Sequence, residues 1–577
     1  MTEHIKDPAD ALRFQVLWSR LISVADEIAT TLVKTAFSLI VRDNHDYACG
    51  LYDSRGEMLA QSTQCTPGQA GSTPTVMHDM LRIYPPETLE DGDVLICNDP
   101  WIGAGHSPDV FVATPVFHHG RLIGFTCTCA HHVDMGGRLG GTDAREVYEE
   151  GIIVPVSKLI RRGEPNDELF RLITRNVRTP DKVLGDLRAQ IAANHVGADG
   201  LRRMVDEFDL DGLDALADSV CDRSEAALRK AIATLPDGRV QHEVAHEITD
   251  DDGEPITLCL ALTIEGGAAR LDFAGTSPQV AKPVNAVLNI TRAYCVFPFI
   301  ASLSPDLPMN AGAFRPVVLD VPEGTVLNPT YPAAGMYRSL LSYFTVEVIM
   351  GALHKIAPDR VMAPSGTYPL WIQKFAGRGA DGREFVTHFN AQGGQGAFAD
   401  RDGVTAVVFP GNIASTSVEL FEHETPLLVR RRALLTDSGG PGRFRGGLGQ
   451  ETVLENCAAG SVRAALSGGR FHVPAPGLDG AGPGSEGAIS VNGAPPFTRP
   501  DRVDLAPGDR VSLRQPGGGG FGPPVARDPE RVAVDVREGY VSAVGARQDY
   551  SVVINPADGT VDQAATARLR GALTSSG

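Results

Sequence analysis

The chain has 577 residues, 71 of them acidic and 52 basic, for a formal net charge of −19. With 42% hydrophobic and 21% charged residues, neither intrinsic disorder nor a small disulfide scaffold is tenable, and the length allows several domains with sizeable cores. The acidic surplus argues against nucleic acid or an anionic membrane surface as a partner.

The opening MTEHIKDPADALRF is charged from its third residue and lacks a signal h-region. The apolar stretch over residues 17–41 carries Arg20, Asp26, Glu27 and Lys34, which forbids a bilayer span. Nine cysteines without a CxxC pair read as reduced thiols, so a cytoplasmic protein is expected. Between residues 10 and 40, Val16, Leu17, Leu21, Ile28 and Leu32 recur at helical spacing and predict one helix, or two joined end to end. From Tyr47 onwards, short apolar runs cut by Gly, Pro and Asp predict strands and loops. A second helical block is expected from about residue 167 to 235. Within it Pro180 opens a helix that places Leu184, Leu187 and Ile191 on one face.

Residues 240–330 read as largely β, and a further helix is expected over 340–355. Residues 375–515 are rich in Gly and Pro with many short strands. The segment RDPERVAVDVREGYVS returns to helix, ending near Tyr550, and residues 555–577 read as frayed. The expected fold class is therefore α+β, a mixed multi-layer fold. It has an N-terminal helix, a strand-rich metal-bearing region, a helical block and a Gly-rich, β-rich C-terminal half. The expected division is an N-terminal catalytic region over 1–205, a helical connector over 206–240, a mixed α/β region over 241–375, a β region over 376–524, and a C-terminal helix and tail over 525–577.

Eight of the fifteen histidines fall in the first 150 residues, most densely in CNDPWIGAGHSPDVFVATPVFHHGRLIGFTCTCAHHVDMGG. Its grammar is loop, strand, turn, strand, loop. If His119-Gly120 is a two-residue turn, residue 118 faces 121 and opposed positions sum to 239. Pro108 then faces His131, and His106 and Asp109 lie within a residue or two of it. Directly opposed Cβ atoms are ~5 Å apart, so two imidazoles and one carboxylate converge at the hairpin mouth. That is a common catalytic set for a divalent metal. The other reading of these residues is a polar hairpin end hydrogen-bonded to its loops. Asp134, three residues beyond His131, is a candidate fourth ligand or general base, or else a cap for the Met135-Gly136-Gly137 turn. His132 faces away from His131 on a continuing strand, and His118 and His119 read as turn residues.

Other motifs carry less. His242-Glu243-Val244-Ala245-His246 spells HExxH, but polar and apolar residues alternate around it, as in a strand. There the two histidines are ~13 Å apart and cannot share an ion. PGGGGFGPP fits GxGxxG without a helix to follow it, which points to tight backbone packing. The chain has no GxxxxGK[ST] loop and no GxSxG elbow.

Taken together, NDPWIGAGHSPDV, AHHVDMGG, DLRAQIAAN, DFAGTSPQV, NAGAFRPVVLDVPEGTVLNP, DSGGPGRFRGGLG, PGGGGFG and the closing RDPERVAVDVREGYVS resemble, in order, the motifs of the hydantoinase B / 5-oxoprolinase group. That group includes the α-type subunits of acetone and acetophenone carboxylases. The resemblance implies a metal-bearing subunit of an ATP-dependent enzyme, with ATP bound by a hydantoinase A-type partner in a hetero-oligomer with a twofold core. It also implies His106, Asp109 and His131 as ligands of one divalent ion (Mn, Zn or Fe). Two positions depart from the cyclic-amide hydrolases. Asp43-Asn44-His45-Asp46 stands where Glu-Arg-x-Asp is usual, and Pro67-Gly68-Gln69-Ala70-Gly71 where Pro-x-His-x-Gly is usual. Asp46 is retained and joins Asp134 as a candidate base. The expected function is ATP-driven opening of a cyclic amide of the hydantoin or 5-oxoproline kind. The alternatives are biotin-independent carboxylation of a ketone or related carbonyl compound, and a non-catalytic scaffold.

Overall fold

A computed structural model describes residues 8–141, 143–379, 382–497, 499 and 501–574. The first seven residues of the charged opening and the last three of the expected frayed tail lie outside them. The fold is mixed α+β, and the chain divides into two compact units. The first comprises Met1–Leu139, Asp143–Val240 and Ala261–Arg338; the second comprises Gly140–Thr142, Gln241–Leu260 and Ser339–Gly577.

The first unit opens with α1 (Pro8–Thr35) and the short α2 (Leu39–Arg42), followed by β1 (Tyr47–Asp53), β2 (Met58–Gln61) and α3 (Pro67–Ile83). Then come β3 (Val94–Cys97), β4 (Asp109–His118), β5 (Arg121–His131), β6 (Ser157–Arg161) and β7 (Glu164–Pro165). The strands form one sheet in the order β2-β1-β5-β4-β3-β6-β7. This order puts β1, which follows Asp46 directly, beside β5, which ends at His131.

The expected helical block is α4 (Asp167–Arg175), α5 (Pro180–Glu207) and α6 (Asp214–Ile232). One apolar cluster joins Leu21, Val24, Ile28 and Leu32 of α1 to Ala193, Leu201 and Met204 of α5, Val220 of α6, and Leu51 and Leu59 of the sheet. Each such fully buried aliphatic side chain contributes about 1.5–3 kcal/mol before conformational entropy is subtracted. Of the three α5 residues expected on one face, Leu187 is buried, whereas Leu184 and Ile191 are only partly so.

The chain leaves the first unit along β8 (Gly238–Thr249) and returns along β9 (Pro255–Glu265). β10 (Ala268–Asp272), α7 (Leu288–Leu303) and β11 (Val317–Asp320) complete the unit, β10 pairing antiparallel with β9 and parallel with β11.

Two helices contradict the strand-and-loop reading of their segments. α3 contains Pro67, Gly68, Gly71 and Pro74, and α7 contains Pro298. Pro67 sits in the first turn, where its missing N–H costs nothing. The glycines let the two helices approach. A Cβ at Gly71 would lie 2.6 Å from the Cβ of Ala293, and one at Gly68 2.6 Å from the Tyr294 hydroxyl. Gly71→Ala is accordingly expected to destabilise the protein by about 1–3 kcal/mol in urea titrations despite alanine's better helix propensity. A neutral or stabilising effect would show that the contact is not tight.

The second unit begins with α8 (Ser339–His354), close to the expected helix. Its strands are β12 (Trp371–Arg378), β13 (Glu384–Ala391), β14 (Leu427–Leu434), β15 (Gln450–Asn456), β16 (Val462–Leu466), β17 (Ala488–Val491), β18 (Asp501–Leu505) and β19 (Arg510–Arg514), with α9 (Val418–Glu424) before β14. They form two four-stranded sheets, β13-β12-β16-β18 and β14-β15-β19-β17. Trp371, Phe375 and Phe389 of one sheet share a core with Leu454, Ile489 and Leu513 of the other.

α10 (Pro529–Arg537), α11 (Ala543–Gln548) and α12 (Gln563–Thr574) close the chain. α12 corrects the expectation of a frayed tail. Thr566 Oγ1 accepts from the Val553 N–H at 3.0 Å, and Arg570 Nη2 donates to the Arg527 carbonyl at 2.9 Å.

The PGGGGFG segment is packed backbone. Cβ atoms at Gly517, Gly518 and Gly519 would fall 1.8, 2.1 and 1.9 Å from neighbouring carbonyl oxygens, so no side chain fits. Gly518 N–H donates to Gly447 O and Gly519 N–H to Pro364 O, both at 3.0 Å. The HExxH residues lie on β8, as their alternation predicts. No described helix is long and apolar enough to cross a membrane.

Candidate metal centre

The hairpin of β4 and β5 forms with one difference from the arithmetic. His118 pairs with Arg121 and Phe117 with Leu122, both summing to 239, but a bulge follows and Val116 pairs with Gly124. The register therefore advances by one, and Asp109, not Pro108, stands directly opposite His131. Bulges re-aim side chains in this way at strand ends near functional sites.

Facing is set by the pleat. Thr126 Oγ1 donates to the Asn194 carbonyl of α5, Ala130 joins the α1/α5 core, and His132 Nε2 meets Gln190 Oε1 at 3.0 Å. His131 and Asp109 take the opposite face. The DLRAQIAAN segment is thus the backing of the hairpin. Gln190 Nε2 donates to Val110 O at 2.9 Å, Asn194 Nδ2 to Val112 O at 2.8 Å, and the Asp186 carboxylate accepts from the Phe37 and Ser38 N–H groups.

His106 arrives on the loop before β4. Asn98 Nδ2 donates to Ser107 O at 2.7 Å, Asp99 Oδ1 accepts from the Trp101 N–H at 3.0 Å, and Gly105 adopts φ +87°. The result is a buried cluster in which one ligand atom each from His106, Asp109 and His131 lies within 4.8 Å of the others. His106 Nε2 is 2.9 Å from Asp109 Oδ2, His131 Nδ1 is 3.5 Å from Asp109 Oδ1, and the imidazole centroids are 4.9 Å apart. Asp46 Oδ2 is 3.5 Å from His131 Nδ1, brought there by the pairing of β1 with β5.

Three further residues frame the cluster. Gln69 of α3 donates its amide to Asp46 Oδ1 at 3.1 Å and to Asp109 Oδ1 at 2.8 Å, while its oxygen accepts from Thr66 Oγ1. Arg338 Nη2 donates to Asp109 Oδ2 at 2.7 Å. The Glu150 carboxylate accepts from the N–H groups of Gly335 and Met336, fixing the segment that brings Arg338 and the Met336 carbonyl to the site. Arg338 and Glu150 carried no signal in the sequence, because each meets its partner across about 200 residues. Gln69 was visible there only as a departure from a motif.

Burial, helped by Arg338, pushes the His106 pKa down to about 3, so its imidazole is neutral near pH 7. Burial would raise Asp109, yet His106 and the Arg338 guanidinium hold its carboxyl well below the ordinary range. Asp46 is pushed up to about 6, chiefly by burial and against the pull of His131.

These residues fit a divalent ion. His106 Nδ1 lies 3.2 Å from the Met336 carbonyl, which fixes the tautomer that turns the Nε2 lone pair toward Asp109. A neutral imidazole nitrogen and a carboxylate oxygen 2.9 Å apart are two acceptors in contact, and a shared cation reconciles them. That spacing is about what two donors with ~2.1 Å bonds to one ion adopt. Asp134 lies outside this group. Arg178 Nη1 donates to its Oδ1 at 2.6 Å and the Gly136 N–H to the same oxygen at 3.2 Å, which is the turn-capping arrangement with an added salt link.

The profile of the family described as Hydantoinase B/oxoprolinase matches residues 10–524. The chain belongs to that family. A Pseudomonas protein provisionally named as the B-type subunit of a D-/L-hydantoinase is 31% identical, the alignment covering 97% of this chain and 98% of the relative. The beta-type subunit of the caprolactamase of Pseudomonas jessenii is also 31% identical, over 98% and 99% of the two chains. The crystal structure of the ATP-dependent caprolactamase from that organism superposes with a TM-score of 0.90 at 28% identity, covering 98% of this chain and all of the other. The nucleotide-free structure of acetone carboxylase gives 0.88 at 23% identity, over 98% of this chain and 83% of the other, a likeness of fold. Two relatives of this family member are thus named as subunits.

Proposed function

We propose that this chain is the metal-bearing subunit of an ATP-dependent cyclic amidohydrolase, acting with a hydantoinase A-type partner that binds ATP. The observation that carries the reading is the buried group of His106, Asp109 and His131, in a family whose name and whose caprolactamase relative both concern cyclic amides. An unstrained lactam is a poor electrophile because amide resonance opposes attack. Transfer of the terminal phosphoryl group of ATP to the amide oxygen, on the partner, converts that oxygen into a leaving group. Water then adds to the carbon, the C–N bond breaks as the nitrogen takes up a proton, and a second water converts the resulting acyl phosphate into carboxylate and phosphate. A divalent ion held by His106, Asp109 and His131 supplies Lewis-acid polarisation of an oxygen ligand.

The chain's own residues set the conditions for that chemistry. Arg338 and Gln69 hold the Asp109 carboxylate in place. Asp46, whose Oδ2 adjoins His131, is the candidate base. Asp134 is occupied by Arg178 and serves structure. Asp46→Asn is therefore expected to lower turnover at least about tenfold with metal content retained, and Asp134→Asn to leave turnover within about twofold. The reverse order of effects would return the base role to Asp134.

The test of the function is one assay of the co-expressed pair. ATP consumption is followed with hydantoin, 5-oxoproline, caprolactam and simple ketones, each with and without bicarbonate. Bicarbonate-independent opening of a cyclic amide supports the proposal. Bicarbonate-dependent turnover of a ketone establishes the carboxylase reading instead, which the Gln69 departure keeps in view. Activity that survives His106→Ala at full strength establishes the scaffold reading.

A further inference from the structure

The second unit contains a cavity of about 440 Å³, within the range of small-molecule sites. One wall is the β8 segment His242-Glu243-Val244-Ala245, the residues that spell most of the HExxH decoy. Glu347, Met350, Met362, Ala363, Tyr368 and Arg470 form a buried floor. Two floor residues hold polar atoms that lack a hydrogen-bond partner, Tyr368 Oη and Arg470 Nε, on side chains only 1% and 2% exposed. Buried polar groups are normally satisfied, and leaving one unmade costs about 1–3 kcal/mol. The fold retains both in the lining of one apolar cavity, where they offer a phenol O–H and a guanidinium N–H.

Charge narrows the ligand class. The Arg470 guanidinium is already paired with the Glu347 carboxylate and stacks over Phe344, its centre 4.9 Å from the ring centroid. The floor is therefore electrically balanced, and the remaining lining adds one base and one acid, Lys355 and Glu243, so a carboxylate or ammonium ligand would bring in an uncompensated charge. We propose that this cavity is a second small-molecule site, which takes a neutral, largely apolar compound through one carbonyl oxygen that accepts from Tyr368 Oη and Arg470 Nε. Apolar lining from Met350, Met362, Ala363 and Leu478 supplies the remaining contact. The proposal involves none of His106, Asp109 and His131 and stands or falls apart from the reading of that centre.

The test uses ligand-observed NMR titration of the full chain with cyclooctanone and with cyclooctanecarboxylate. Wild type, Tyr368→Phe and Met350→Trp are compared, with melting curves and metal content measured in parallel. The expected result is saturable binding of the ketone in preference to the carboxylate. Tyr368→Phe should weaken it about tenfold, the worth of one hydrogen bond, and Met350→Trp should abolish it by filling the space. Tyr368→Phe should melt no lower than wild type, since the hydroxyl it loses has no partner in the fold. Any of three results overturns the proposal: no ketone binding to wild type, preference for the carboxylate, or equal affinity in wild type and both folded variants.

Discussion

His131→Ala is expected to lower the divalent metal retained after dialysis at least about tenfold, and the ATP-coupled turnover of the co-expressed pair at least about 100-fold. The size of the effect follows from where the residue sits. His131 ends β5 directly opposite Asp109 and is buried with it. Alanine leaves the backbone bond from the His131 N–H to the Asp46 carbonyl intact, so the hairpin is expected to persist. Elemental analysis beside far-UV circular dichroism separates lost ligation from lost folding. Equal metal in the folded variant and wild type would remove His131 from the ligand set.

Arg527→Met is expected to be the most destabilising of the substitutions considered, by about 3–5 kcal/mol, because it removes the guanidinium that bridges the buried Asp535 and the part-buried Asp402. Arg527 is 2% exposed. It donates to both oxygens of Asp402, at 2.7 and 2.8 Å, and to Asp535 Oδ2 at 2.7 Å. The pH dependence has a definite sign. Burial alone would raise the Asp402 pKa, but Arg527 brings it below the ordinary value. In wild type, Asp402 therefore contributes stability above its unfolded pKa, and that contribution is lost as pH falls through the folded value. Without Arg527 only Arg445 still opposes the burial effect and the folded pKa rises, so the variant's penalty is largest near neutrality and shrinks as acid protonates the carboxyl. Urea titrations at pH 7 and pH 5 measure it. A deficit that grew towards pH 5 would contradict the assignment of Arg527 as the stabilising partner.

Much of the fold is legible in local pattern. The apolar spacing of Leu21, Ile28 and Leu32 gives α1, Pro180 opens α5, and the alternation around His242 puts that segment on a strand despite its protease-like spelling. α3 and α7 escape local reading because their Gly and Pro residues serve contacts between helices far apart in sequence. Gly71 is a helix breaker by propensity, yet it is required by the approach of Ala293, 222 positions away, a distance no window over α3 contains. α12 escapes for a related reason, since its hydrogen bonds run to Val553 and Arg527.

The grouping of His106, Asp109 and His131 is legible in the sequence, because a tight turn flanked by two strands has few registers and each brings the three residues to one end. Strand periodicity also ruled out the histidine pair on β8. Long-range packing sets the rest: a bulge makes Asp109 the direct partner of His131, and Asp46 adjoins the cluster while Asp134 is taken by Arg178. Gln69 and Arg338 likewise owe their place to it. The physical reason is that backbone pairing within a hairpin depends on neighbours a few residues apart. The neutralisation of a buried carboxylate depends on whichever donor the packed chain delivers, and for Asp109 that donor is Arg338, 229 residues later.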